Sequence, residues 1–380
     1  MIPFNKPFFT GNEIAYIEQA VASGKISGDG VFTQKCHAFF EQYLGTQTKA
    51  FLTTSCSTAL DMMALLLNIV PGDEVIMPSY TFSSTANAFV LRGAQIVFAD
   101  SEANNPNIDA GQIEALITPK TRAVVAMHYA GVACNMDVLC DISKQYKLFL
   151  LEDAAQAIAS YYKGQPLGSI GQMAAFSFHE TKNVIAGEGG LLALNDPQFC
   201  NRAEIIREKG TNRTAFFRGD ITRYEWVDIG SSFLPSEIVA AFLYAQLENL
   251  ETIQQKRLAL WNAYNQYLQP LQTSGYLQLP FIPDYATCNG HIFYVVCPNL
   301  TIRNKLLNHL QSKGVYAVFH YLALHQSPYY RQQQQQPNNS RALPNADRFE
   351  ACLLRLPLYY ELSIEEVAYI VAQIEAFFAS

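Results

Sequence analysis

Between about residues 50 and 195, short apolar runs rich in β-formers alternate with stretches of helical character. Seven runs read as strands: Phe51–Thr53, Glu74–Met77, Gln95–Ala99, Arg122–His128, Leu148–Glu152, Met173–Phe178 and Leu191–Leu194. Several are apolar without interruption, for example Ala123-Val124-Val125-Ala126-Met127. A strand with no polar face is buried on both sides, the condition of a mostly parallel sheet covered by helices. The rhythm therefore predicts an α/β layer fold with right-handed crossovers.

Around Ser236–Arg257 the pattern becomes long and helical, and is expected to bridge to a second unit. The division this predicts is a large domain over 1–245 and a smaller α+β domain over 246–380. The latter mixes helices with short strands such as Ile292–Val296 and closes on a helix over Ser363–Phe378. Ser363 followed by Glu366 has the spacing of a capping box. The run Gln332–Gln336, followed by Pro337-Asn338-Asn339-Ser340, is of low complexity and reads as a surface loop.

Composition narrows the class. Of 380 residues, 49% are hydrophobic and 16% charged, enough for a large buried core. A net charge of −7 argues against nucleic-acid binding, which needs basic surface. No uninterrupted apolar run reaches the length of about 20 residues that a membrane span needs, and the first residues lack the apolar core of a signal peptide. Eight scattered cysteines include no C-x-x-C pair, which argues against a metal site and fits a reduced cytoplasm.

In open α/β sheets, ligands bind beyond the carboxyl ends of the strands. Those ends carry Thr54-Ser55-Cys56-Ser57, Tyr80-Thr81-Phe82, His128-Tyr129, Asp153 and the run from His179 to Lys182. In Leu151-Glu152-Asp153-Ala154-Ala155-Gln156 an apolar strand delivers a carboxylate and then an amide. Pyridoxal 5′-phosphate (PLP) needs an anion beside its pyridine nitrogen, so that the protonated ring accepts the electrons of a carbanion. Asp153 suits that place and Gln156 the ring hydroxyl; an Asp capping the next helix is the plainer reading of the motif alone.

In Phe176-Ser177-Phe178-His179-Glu180-Thr181-Lys182-Asn183 a strand leads to a lysine, followed by Gly187-Glu188-Gly189-Gly190. A lysine that bonds to an aldehyde must lose its proton near neutral pH, and burial beyond a strand end favours that. A lone loop lysine is usually solvated; Asp153 about thirty residues upstream shifts the balance to chemistry. Thr53 to Leu60 place hydroxyl residues at a helix start after a strand, where free N–H groups suit a phosphate. Ser55, Cys56 and Ser57 are the candidates there, with Ser177 approaching from a neighbouring strand; an ordinary N-cap is the alternative. Neither G-x-G-x-x-G nor G-x-x-x-x-G-K-[ST] occurs, against a dinucleotide fingerprint or P-loop. Phe82, at a strand end, is placed either to stack on a planar ring or to pack in the core.

Together, S-C-S-T-A-L, P-S-Y-T-F, E-D-A-A-Q, S-F-H-E-T-K-N and G-E-G-G, in that order, resemble the DegT/DnrJ/EryC1/StrS family. The resemblance runs from Ile2-Pro3-Phe4 to Arg355-Leu356-Pro357-Leu358. It implies a fold-type I PLP-dependent sugar-nucleotide aminotransferase, with L-glutamate as amino donor and a homodimer that shares its active sites. It makes Lys182 the Schiff-base lysine, Asp153 the pyridine-nitrogen partner and Gln156 the residue beside the ring. Cys56, Ser57 and Ser177 become phosphate binders, and Phe82 the stacking aromatic.

His128-Tyr129-Ala130-Gly131-Val132-Ala133-Cys134, Arg207 to Arg213, Phe216 to Gly219 and Asp228 to Ser232 are similar to one branch, which aminates C4 of dTDP-4-keto-6-deoxy-D-glucose. A 3-aminotransferase, a UDP-sugar 4-aminotransferase and a non-catalytic scaffold are the competing readings. Many members carry G-x-N-x-R where this chain has Gly230-Ser231-Ser232-Phe233-Leu234; the Asn there reaches the partner's phosphate, which puts Ser232 in its place. His128, His320, Tyr321 and His325 are candidates for the sugar, and Lys209 and Arg213 for the diphosphate, with structural or solvated roles as the alternatives.

Overall fold

The computed structural model describes residues 1–333 and 341–379. The strands are β1 (Lys49–Thr53), β2 (Glu74–Pro78), β3 (Gln95–Ala99), β4 (Thr121–Met127), β5 (Phe149–Asp153), β6 (Tyr161–Tyr162), β7 (Gln165–Pro166), β8 (Met173–Ser177), β9 (Gly190–Leu194), β10 (Phe293–Val296) and β11 (Leu353–Leu356). The seven expected strands form one sheet in the order β1-β9-β8-β5-β4-β2-β3. It is parallel except for β9, which runs antiparallel to both β1 and β8.

The central strands are apolar throughout because the two faces feed two different cores. On β4, Ala123, Val125 and Met127 join one cluster and Val124 and Ala126 the other. Helices α1 (Glu13–Ala22) and α2 (Val31–Leu44) cover the second face. Helices α3 (Cys56–Leu66) and α4 (Ser83–Val90) cover the first, while α5 (Met136–Tyr146) returns to the second. Farther along come α6 (Cys200–Arg207) and α7 (Arg213–Arg218).

The long helical pattern is two helices, α8 (Glu237–Leu247) and α9 (Leu250–Thr273). They break at Glu248-Asn249, where the Asn249 amide donates to the Ala245 carbonyl (2.9 Å) and its own backbone leaves helical geometry. Such a local side-chain bond competes with helix continuation. Then α9, α10 (Leu300–Ser312) and α13 (Ile364–Ala379) pack around the two-stranded β10-β11 sheet as a third core. The chain start belongs to that core too: Ile2 is buried in it and bridges to Val315. The Ser363–Glu366 capping box forms in both directions, at 2.9 and 3.1 Å. Helix α11 (Pro328–Gln333) contains the first glutamines of the low-complexity run, and residues 334–340 lie outside the described residues; α12 (Pro344–Cys352) follows.

One buried charge anchors the turn that follows β7. The Glu152 carboxylate, fully buried, accepts N–H groups from Gly168 (2.7 Å), Ile170 (2.8 Å) and Gly171 (2.7 Å), and the His128 Nε2 proton at 3.0 Å. Burial pushes this carboxyl up, but the His128 bond and the backbone donors outweigh it and hold the carboxyl below its ordinary 4.5. A carboxyl lowered in the fold favours folding above its ordinary pKa, and that contribution fades as pH falls through the lowered value. Glu152→Ala strands four donors in the interior, so urea unfolding is expected to show a loss of about 3–5 kcal/mol. That loss shrinks in acid.

Candidate active site

The carboxyl ends of β1, β2, β4, β5 and β8 open onto one cavity of about 400 Å³. At one end stands the start of α3. Ser55 caps it reciprocally: its Oγ accepts the Thr58 N–H (3.2 Å), and Thr58 Oγ1 accepts the Ser55 N–H (3.0 Å). The Cys56 and Ser57 N–H groups of the first turn have no partner within the helix and are left for an anion. Ser57 donates to Ser84 Oγ (2.7 Å), bringing a hydroxyl from the start of α4 to the same wall. The approach of β9 requires Gly190, since a Cβ there would lie 2.3 Å from the Ser55 carbonyl carbon and 2.4 Å from the Cys56 nitrogen.

Asp153, the last residue of β5, stands elsewhere on the wall. Its Oδ2 accepts from Thr85 Oγ1 (2.6 Å), itself paired with Thr81 (2.9 Å), and its Oδ1 accepts the Ala155 N–H (3.2 Å). Gln156 is fixed at both ends: Oε1 accepts the Ala130 N–H (2.7 Å) and Nε2 donates to the Tyr321 hydroxyl (2.8 Å). Phe82 lines the cavity while 56% exposed, its ring centre 6.1 Å from that of Tyr321.

Beyond β8 the chain turns back on itself through Phe178 N–H to Gly189 O (2.9 Å) and Ala186 N–H to Phe178 O (2.7 Å). Lys182 sits in that turn and projects to the cavity wall beside Ser177, His179 and Thr181. Burial draws its ammonium pKa below the ordinary 10.5, against the pull of Cys56 and Asp153. His320 and Tyr321 stack with ring centres 3.7 Å apart, and the Tyr129 hydroxyl meets His320 Nδ1 at 2.7 Å.

Thus Ser55, Cys56, Ser57, Phe82, Asp153, Gln156, Ser177, Lys182, His320 and Tyr321 come together on one surface. Two residues expected there do not. His128 is wholly buried, with Nε2 on Glu152 and Nδ1 accepting the Cys134 N–H (3.2 Å), so no ring atom is left for a substrate. His325 is spent on Ser79 (Nδ1, 2.7 Å) and Asp347 (Nε2, 3.2 Å) and does not line the cavity. Ser232, expected at the partner's phosphate rather than in its own cavity, lies in a separate surface hollow of about 510 Å³ with Lys25, Lys209 and Arg213. His179 and Thr181, from the expected strand-end run, line the wall as well, and unforeseen wall residues are Ser84, Thr85, Glu188, His291 and Arg355.

The model of the DegT/DnrJ/EryC1/StrS aminotransferase family matches residues 8–375. The chain belongs to this family. The spore coat polysaccharide biosynthesis protein SpsC of Bacillus subtilis (strain 168) is 32% identical over 373 residues, covering 96% of this chain and 94% of that protein. Among solved structures, the aminotransferase TlmJ from Streptoalloteichus hindustanus superposes with a TM-score of 0.90 at 28% identity, over 100% of this chain and 99% of that one. Spr1654 from Streptococcus pneumoniae in its PLP form gives 0.89 at 25% identity, over 99% and 98%. The chain is a PLP-dependent sugar aminotransferase.

The wall fits that cofactor: a helix start for the phosphate, a carboxylate for the ring nitrogen and a buried lysine share one cavity. In the PLP-bound protein, the α3 start with Ser55 and Ser57 would hold the phosphate and Asp153 the ring nitrogen. PLP supplies the electron sink that lets an amino acid lose its α-proton.

Proposed function

We propose that the chain moves the amino group of L-glutamate to C4 of dTDP-4-keto-6-deoxy-D-glucose. The products are dTDP-4-amino-4,6-dideoxy-D-galactose and 2-oxoglutarate, and the aminated sugar serves cell-surface glycan synthesis. This is the activity of dTDP-4-amino-4,6-dideoxygalactose transaminase, whose motifs the segments at 128–134, 207–213 and 228–232 resemble. Descent from the same family as a polysaccharide biosynthesis protein supports the glycan end.

The observation that carries the reading is a second hollow of about 520 Å³ that shares Phe82, His320 and Tyr321 with the cavity. It gives a large second substrate room beyond the cofactor. Lys182 takes the α-proton from the donor, keeps it out of bulk water, and later delivers a proton to C4 of the sugar. The face from which its amine reaches C4 sets the configuration of the product. His320, whose pKa burial lowers well below 6.5 with Arg355 and Lys182 adding to the effect, meets the sugar as a neutral ring.

Two copies complete the site in this proposal. The 213–229 segment exposes Phe217 (68%), which lines the Ser232 hollow, and Trp226 (81%), apolar surface suited to a second copy. Incubation with glutamate and either dTDP- or UDP-4-keto-6-deoxyglucose, followed by product NMR, tests the assignment. The dTDP sugar is expected to gain an axial amine at C4. Amination at C3, or a preference for the UDP sugar, would replace the proposal with its competitors.

A further inference from the structure

Arg355 is a half-buried cation that forms no ion pair among the described residues. It lies on β11 of the small sheet, and its side chain reaches the wall of the Lys182 cavity. The groups that raise its pKa against burial are the phenols of Tyr129, Tyr321 and Tyr80; no carboxylate is among them. Its Nε has no hydrogen-bond partner among the described residues, and its Cζ lies 4.6 Å from the centre of the Phe4 ring.

Arg257, buried beside the same two-stranded sheet, shows what a structural arginine looks like here. Arg257 donates to the carbonyls of Gly290 (3.0 Å), His291 (3.0 Å) and Leu358 (3.2 Å). A desolvated guanidinium left without such partners is costly. It becomes favourable when a carboxylate enters and takes a bidentate pair of N–H bonds.

We propose that Arg355 binds the α-carboxylate of the amino-acid donor. This rests on the aminotransferase reading and on Lys182 as its base. The carbon that loses its proton must come to Lys182, and its carboxylate is one bond away. Lys182 and Arg355 share one wall, so that carboxylate falls within the reach of Arg355 while the donor's side chain extends elsewhere. The rival anion, a sugar diphosphate, lies several bonds from the aminated carbon and extends into the outer hollow, where Arg331 offers a separate cation.

The test compares wild type, Arg355→Met and Arg355→Lys. Loss of a charged hydrogen-bonding partner is expected to raise the glutamate KM about 10- to 100-fold in the Met variant. The KM for the keto sugar stays unchanged, and the Lys variant recovers part of the loss. Wild type should prefer glutamate to 4-aminobutanoate, which lacks the α-carboxylate, and Arg355→Met should erase that preference. Calorimetry with glutarate, which has no amine to react, should show heat of binding with wild type and none with Arg355→Met.

A rise in the sugar KM instead, an unchanged donor KM, or an intact preference over 4-aminobutanoate would overturn the proposal. If the Met variant loses its near-ultraviolet circular dichroism, the Lys variant carries the test. If wild type transferred no amino group at all, the activity reading would fall, while the glutarate heats would still decide the role of Arg355.

Discussion

Lys182→Ala protein is expected to purify folded and to lose turnover by about 10³–10⁴-fold or more, because the group that moves the proton is gone. The effect should be this large because nothing else on the wall replaces an amine. His291 is the nearest alternative by chemistry. Its Nδ1 is tied to the Asn183 amide oxygen at 2.8 Å, and burial, with Lys182 and Arg257 nearby, lowers its pKa well below 6.5. The ring is held in place and does not swing to a substrate carbon. The variant should also lack the near-visible absorbance of lysine-bound cofactor. Because the side chain already sits in a desolvated wall, its removal leaves the fold intact, with circular dichroism and melting temperature close to wild type. A variant that turns over at a tenth of the wild-type rate would remove Lys182 from the mechanism.

Much of this arrangement was legible in the chain because it depends on local order. Strands buried on both faces have a one-dimensional signature, and β3 matches its expected limits over Gln95–Ala99. The groups on strand ends follow from that, since a parallel sheet brings its carboxyl ends to one edge whatever the spacing of the strands in sequence. Asp153, Ser177 and the α3 start were found in this way. The helix start beginning at Ser83 carried the same hydroxyl signal as the one at Ser55, and Thr85 and Ser84 could have been drawn from it.

Other features depend on packing that no window of sequence contains. His128 follows a strand as Asp153 ends one, yet its side chain points to the opposite face of the sheet, where Glu152 claims it. His325 lies only five residues beyond His320, but it sits in a short helical turn, Leu324–Gln326, where it meets Ser79 and Asp347. His291 and Arg355 reach the cavity from far beyond Lys182 in sequence, and neither belongs to a motif that marks a ligand site. The break between α8 and α9 is the same kind of effect at short range: an apolar periodicity runs through Asn249, whose side-chain bond interrupts the helix without disturbing the pattern.

Asp153→Asn should lower kcat by about 10²–10³-fold, the scale on which one electrostatic partner of a reacting group acts. The substitution is informative because it separates two roles that the carboxylate holds at once. One is structural: Oδ1 accepts the Ala155 N–H after the strand, as a helix-capping Asp would. An asparagine oxygen keeps that bond, so the melting temperature should hold, whereas Asp153→Ala loses about 1 kcal/mol as well. The other role is the negative charge facing the cofactor's ring nitrogen, which an amide cannot supply in any rotamer. Thr85 provides the intermediate case. Its hydroxyl donates to Oδ2 at 2.6 Å and orients the carboxylate without adding charge. Thr85→Val should therefore cost about tenfold in kcat, the worth of one hydrogen bond to a charged group, and leave cofactor affinity close to wild type. If Asp153→Asn were as active as wild type while Asp153→Ala were merely unstable, the capping role would be the whole of its function. The ring nitrogen would then need another partner on this wall, and the described residues of the cavity offer only one other carboxylate, Glu188. Glu188 lies 3.8 Å from His179 in the turn that carries Lys182, a different element from the strand end that holds Asp153.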